Sequence, residues 1–72
     1  MAMDRLMERL RRGNGPPLRV SEVAELTGFS TRKLQRLMDS EALDFVRLQE
    51  CGERRIPVRE AVRIARELRI LD

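Results

Sequence analysis

The sequence predicts a mainly α fold with a small β-hairpin, and three observations predict it. Apolar residues recur at three- and four-residue steps in three stretches, 3–12, 20–37 and 58–71. Two short runs, Phe45-Val46-Arg47-Leu48 and Arg54-Arg55-Ile56-Pro57, read as strands on either side of a turn. Glycine and proline fall between these stretches rather than inside them, at 13–17, Gly28, Gly52 and Pro57.

The first helix is expected over 3–12, with Met3, Leu6, Met7 and Leu10 on one face. Arg5, Arg9, Arg11 and Arg12 lie mostly on the other, as a solvated face or as an added phosphate-binding arm. Gly13-Asn14-Gly15-Pro16-Pro17 stops it, since paired prolines forbid helix continuation. The chain therefore divides into 1–17, an amphipathic helix and linker, and 18–72, the main domain. Leu18-Arg19-Val20 is expected extended, against or beside the later hairpin.

Val20 to Leu37, VSEVAELTGFSTRKLQRL, carries the pattern of a helix-turn-helix. Val23 and Ala24 face inward on its first helix, and Leu34 and Leu37 on its second. Ala24 is small enough for a close crossing, and Gly28 can take the positive φ that a helix C-cap requires. Phe29 has a ring to set between the helices. Ser21 and Ser30 are the expected N-caps. Outward on the second helix stand Thr31, Arg32, Lys33, Gln35 and Arg36, all hydrogen-bond donors and none acidic. Such a face suits phosphates and base edges. The plain alternative is an αα-hairpin with a solvated basic face.

The second helix should fray near Ser40, and 41–44 makes the exit. Phe45–Leu48 and Arg54–Pro57 then form a hairpin, a wing behind the helix pair, with Gly52 as the positive-φ residue of its turn. From Val58 to about Leu71 the last helix should bury Val58, Ala61, Val62, Ala65 and Leu68, widened by Ile64 and Leu71. That stripe exceeds what one small core needs, and its remainder could serve self-association.

Composition narrows the function. The chain has 72 residues, 38% of them charged, and a net charge of +3. This is one small domain with a marginal core. Arg32, Lys33 and Arg36 are bracketed by Glu22 and Glu25 on one side and Asp39, Glu41 and Asp44 on the other, giving a one-sided field. There is one cysteine, Cys51, and no histidine. No internal disulfide and no ordinary zinc site can be built, and the commonest general base is missing. We therefore expect no enzyme, no cofactor and no metal. No run reaches transmembrane length and no signal peptide pattern opens the chain, so a cytoplasmic location without membrane contact is expected.

Three motifs together, VSEVAELTGFSTRKLQRLMDS, FVRL and RRIPVREAV, span roughly residues 18–64. In this order the chain resembles the excisionase family of small DNA-binding proteins, which share the winged helix-turn-helix core of MerR-type regulators. The resemblance implies that the second helix enters the major groove while the wing meets the adjacent minor groove or backbone. It implies a role for Ser30, Thr31, Arg32, Lys33, Gln35 and Arg36 on the helix, and for Arg47, Arg54 and Arg55 at the wing, in binding double-stranded DNA. It further implies side-by-side assembly on DNA, bending, and direction of a phage or plasmid integrase toward excision. This wing carries Glu50, Cys51 and Glu53 where glycine and basic residues are common in the family.

Relatives with this core also act as transcription regulators, and some winged helices serve as interaction or packaging modules. Fifteen residues follow Pro57, too few for the long coiled coil of a full MerR-type dimer. The expected species is thus a monomer that binds tandem sites cooperatively, head to tail, with the wing of one copy against the helix pair of the next. Arg54 and Arg55 are adjacent in a strand, so they should point to opposite faces. Arg54 is expected toward DNA and Arg55 across the last helix.

Overall fold

The computed structural model describes residues 2–71, with side chains from Arg5 onward. The side chain of Met3, expected on the apolar face of the first helix, lies outside the described residues. The elements are α1 (Ala2–Arg12), β1 (Leu18–Arg19), α2 (Val20–Thr27), α3 (Thr31–Asp39), β2 (Val46–Arg47), β3 (Arg54–Ile56) and α4 (Val58–Glu67). The chain is thus mainly helical with a small antiparallel sheet. The expected hairpin is present, and β1 joins it as a third strand in the order β1-β3-β2.

Register explains the two faces of this sheet. Leu18 lies opposite Ile56, and both are fully buried. Arg54 is two residues before Ile56 and lies opposite Arg47, so Arg47 and Arg54 share the core-facing side at its rim. Arg19, Arg55 and Val46 lie opposite one another across the three strands, on the other side.

One apolar cluster joins every helix to the sheet. α1 gives Leu6 and Leu10, α2 gives Val23 and Leu26, and α3 gives Leu34 and Met38. Leu43, from the loop after α3, and Ile56 close it from the side. α1 packs on α4, so its apolar face is part of the core. Arg11 and Arg12 both approach Glu8, at 3.8 and 3.7 Å, while Arg9 donates to the Pro16 carbonyl across the Gly-Pro linker.

Two local expectations are corrected. Ser21 is not the N-cap of α2: the helix begins two residues earlier than that cap implies, at Val20, with Arg19 as cap. β1 holds Arg19 extended up to the helix, and the Glu22 carboxylate accepts from the Arg19 backbone N–H at 2.9 Å. Glu22 so fills the reaching-back role of a capping box without a Ser or Thr partner. On α4 the buried stripe is Val58, Ala61, Ile64 and Ala65, with Val62 half-buried, whereas Leu68 is 41% exposed. The helix stops at Glu67 and Arg69 takes φ 60°, so the chain folds back and buries Leu71 instead.

α3 and α4 end alike. After α3, Glu41 has φ 65°, with Ala42 N–H to the Leu37 carbonyl at 2.9 Å and Glu41 N–H to Met38 at 3.2 Å. After α4, Ile70 N–H reaches Ala65 at 2.8 Å and Arg69 N–H reaches Arg66 at 3.0 Å. Both are Schellman endings built without glycine. No helix among the described residues is long and apolar enough to cross a membrane.

Candidate nucleic-acid interface

The turn between α2 and α3 fixes the direction of the exposed helix. Gly28 adopts φ 77° and its N–H donates to the Ala24 carbonyl at 2.9 Å, ending α2. The Thr27 hydroxyl donates to the Val23 carbonyl at 2.8 Å and accepts from the Phe29 N–H at 3.1 Å, stiffening the same corner. Ser30 then caps α3, its Oγ accepting from the Lys33 N–H at 3.0 Å. The role expected of Ser30 at a ligand is therefore joined by a structural one. Leu34 and Met38 anchor the inner side of α3, and Leu37 and Phe29 are half-buried beside them.

Thr31, Arg32, Lys33, Gln35 and Arg36 are all exposed. Arg32 and Arg36 stand one turn apart at the centre of this face. Gln35 and Asp39 flank them toward the sheet, where they line an open groove of about 330 Å³ with Val20, Met38, Glu53 and Arg54. Lys33 flanks them toward α4, its Nζ 4.1 Å from the centre of the Phe29 ring. Among the described residues, no acid pairs with Arg32, Lys33 or Arg36, and their side-chain nitrogens make no hydrogen bond within the chain.

The charges of α3 are mixed in their effect on the helix. Arg32 and Lys33 in its first turn and Asp39 at its last position are disfavoured by the helix dipole, while Arg36 in the last turn is favoured by it. Arg32 and Arg36 repel each other at a four-residue spacing, by roughly 0.2–0.5 kcal/mol for such a pair.

The sheet residues are held differently. Arg47 is exposed, and its guanidinium lies 5.6 Å from the Phe45 ring centre and 3.5 Å from the Gly52 carbonyl. Arg54 is drawn onto α3: its Nη1 lies 2.7 Å from Asp39 Oδ1, and its guanidinium stacks 4.7 Å from the centre of Phe45. Arg55 donates from Nε and Nη2 to Glu53 Oε2, at 3.1 and 2.8 Å. The expectation that Arg55 spans the last helix is corrected, since its guanidinium turns back within its own strand on the face carrying Arg19 and Val46. Cys51 is exposed in the turn, and Gly52 carries the expected positive φ, 71°.

Sequence reasoning missed the contacts that brace this surface. Glu60 is the hub of one. Its carboxylate accepts from Arg63 at 3.0 Å and from the Asp44 backbone N–H at 2.9 Å, while Arg63 also donates to the Ala42 carbonyl at 3.0 Å. The loop leaving α3 is thereby tied to α4. The Arg63 hydrogen bond holds the Glu60 carboxyl below its ordinary value, against the opposing effect of burial and with help from the Asp44 N–H. The three-residue spacing of Glu60 and Arg63 was visible in sequence, but the backbone groups they reach were not. The Asp39–Arg54 pair spans 15 residues and left no local signal.

Compared with known proteins, the chain matches no family model, no curated sequence and no solved structure. The residues and their geometry carry the functional reading.

Proposed function

We propose that the chain is a sequence-specific binder of double-stranded DNA with α3 as its reading helix. The observation that carries this is the outer face of α3: exposed donors, and three cations without an acid partner among the described residues. Local rules broken without compensation inside the chain mark functional surfaces. Arg32 and Arg36 are the base-reading candidates, since a guanidinium can pair with two acceptors of guanine in the major groove. Thr31, Lys33 and Gln35 contact phosphates or flanking bases, and Ser30 fixes the register of the helix end. The arrangement of α2, α3 and the β2–β3 hairpin supports a winged helix-turn-helix of the MerR and excisionase type.

Within that class our reading is an excisionase-like architectural protein that binds tandem sites cooperatively, bends DNA and acts beside an integrase. A small transcription regulator of the same core is the alternative. An interaction module is a further reading, favoured by one observation. A groove of about 290 Å³ between α3 and α4, lined by Phe29, Leu37, Ala42, Ile64 and Leu68 and by the charged Lys33, Arg63 and Glu67, lies open beside the basic face.

Fluorescence anisotropy with labelled duplexes tests the core of this reading. Binding should weaken steeply with salt, and Arg32→Ala and Arg36→Ala should each weaken it. A chain that stays folded yet binds no duplex at low salt would refute it. Footprinting on the neighbouring DNA separates the finer readings: adjacent protected repeats with bending fit an excisionase, a single palindromic footprint fits a regulator.

A further inference from the structure

The contact between Asp39 and Arg54 has no evident reason in the stability of α3. Asp39 is the last residue of the helix, where a negative charge meets the negative end of the dipole. Its carboxylate is 62% exposed, so the ion pair with Arg54 is open to water and exchangeable. Arg47 lies opposite Arg54 on the neighbouring strand, and both guanidiniums stand over the same Phe45 ring. Two like charges directly opposite one another in a sheet repel. Among the described residues Asp39 pairs with Arg54, and no acid pairs with Arg47.

The location of this cluster matters. Gln35 and Asp39 form the α3 wall of the groove whose other wall carries Glu53 and Arg54. Gln35 is adjacent to Arg36 in the chain and on the sheet side of the exposed face. A duplex seated on Arg32 and Arg36 would bring a phosphate strand along this groove, past Arg54, with Arg47 opposite it on the next strand. A phosphate oxygen is a strong charge-assisted partner for arginine, and it repels a carboxylate.

From this we infer that Asp39 is a positioning residue that gates the wing: it holds Arg54 against α3 in the free protein, and a DNA phosphate replaces it on the Arg47–Arg54 pair. The inference rests on the DNA-binding reading above. It makes the wing contact conditional, because Arg54 must leave one anion to take another. Asp39 so lowers affinity for any duplex that fails to seat fully on α3.

A double-mutant cycle tests it, using mixed-sequence duplex DNA as the probe and comparing the full chain with Asp39→Asn, Arg54→Ala and the double variant. Asp39→Asn keeps the shape and removes the charge. It should tighten binding several-fold and steepen the salt dependence by about one phosphate contact. The gain should vanish when Arg54 is already alanine. Thermal melts of each variant establish that all are folded. A gain of equal size in both backgrounds would mean that Asp39 merely repels DNA directly, and no gain at all would mean that Arg54 is not held in reserve; either result overturns the gate while leaving DNA binding intact. Failure of every variant, the unmodified chain included, to bind duplex DNA overturns the reading and the gate together.

Discussion

α3 and α4 are both short amphipathic helices with arginine-rich outer faces, yet their charges are handled in opposite ways. On α4, Arg59 approaches Asp44 at 3.6 Å, and Arg63 engages Glu60 and Glu67 at 3.0 and 3.2 Å. Glu60 in the first turn and Arg66 in the last are placed as the dipole favours, whereas Arg59 and Glu67 at the same two ends are not, and these two are held by ion pairs instead. On α3 Arg32, Lys33 and Arg36 lack acid partners among the described residues. A basic helix face is therefore not evidence of nucleic-acid binding until its charges are followed to their partners. α4 uses its arginines to hold the fold, and α3 leaves its own outward.

The largest expected effect separates the inner and outer sides of α3. Leu34 is fully buried beneath the exposed arginines. Leu34→Ala should cost about 2–5 kcal/mol of stability, a large part of what so small a domain has. Denaturant unfolding would show it directly. A loss below about 1 kcal/mol would mean that α3 is not anchored as described.

The comparison itself is tested next. Arg36→Ala should weaken specific DNA binding by about 1–3 kcal/mol while leaving the thermal midpoint nearly unchanged. Arg63→Ala should do the reverse: it loses about 1 kcal/mol of stability, because the Ala42 carbonyl and Glu60 lose a donor, and changes DNA binding little. Equal effects of the two substitutions on both readouts would break the distinction between the helices.

Much of this was legible in sequence because it rests on short-range signals. The helix periods, the Gly28 and Gly52 turns and the exposed donors of α3 are all set by neighbours within a few residues. Two kinds of feature were not. Leu68 fell on the apolar stripe of α4, but the helix stopped short of it at a Schellman ending carried by Arg69, a residue with no preference for positive φ. Arg54 looked like a free wing cation, but its partner comes from another element and depends on how the hairpin docks on α3. Ser21 was the better capping residue by type, yet strand pairing of Arg19 decided where α2 begins.

A smaller effect should appear in the pH dependence of α4. The Glu60 carboxyl is held below its ordinary value of 4.5, chiefly by the Arg63 hydrogen bond. A depressed carboxyl stabilises the fold above its unfolded value, and this contribution is lost as pH falls through the lower, folded value. Glu60→Gln should thus be less stable than the unmodified chain at neutral pH. The gap should begin to narrow below about 4.5, where the unfolded chain takes up its proton, and should close once the pH has fallen through the lower value of the folded carboxyl. Melting curves across pH 2–7 on both proteins check this. A gap independent of pH would remove the charge of Glu60 from the bracing of α4, whereas Arg32→Ala on α3 should show no such acid-dependent change.

The smallest effect uses the shared ending of the two helices. Glu41 and Arg69 both occupy the left-handed region, at φ 65° and 60°. A side chain there costs about 1–2 kcal/mol, while glycine gives back about 0.5–1 kcal/mol through its freer unfolded state. Glu41→Gly should therefore stabilise the fold by about 0.5–1 kcal/mol, a rise of a few degrees in the midpoint of so small a domain. It also removes an acid from the carboxyl end of α3, where the dipole disfavours one. Arg69→Gly relieves the same backbone but removes a cation from the carboxyl end of α4, where the dipole favours it, so its gain should be smaller. Differential scanning calorimetry of the two variants side by side measures this. A larger gain at Arg69 than at Glu41 would show that the charge removed at each helix end does not govern the difference.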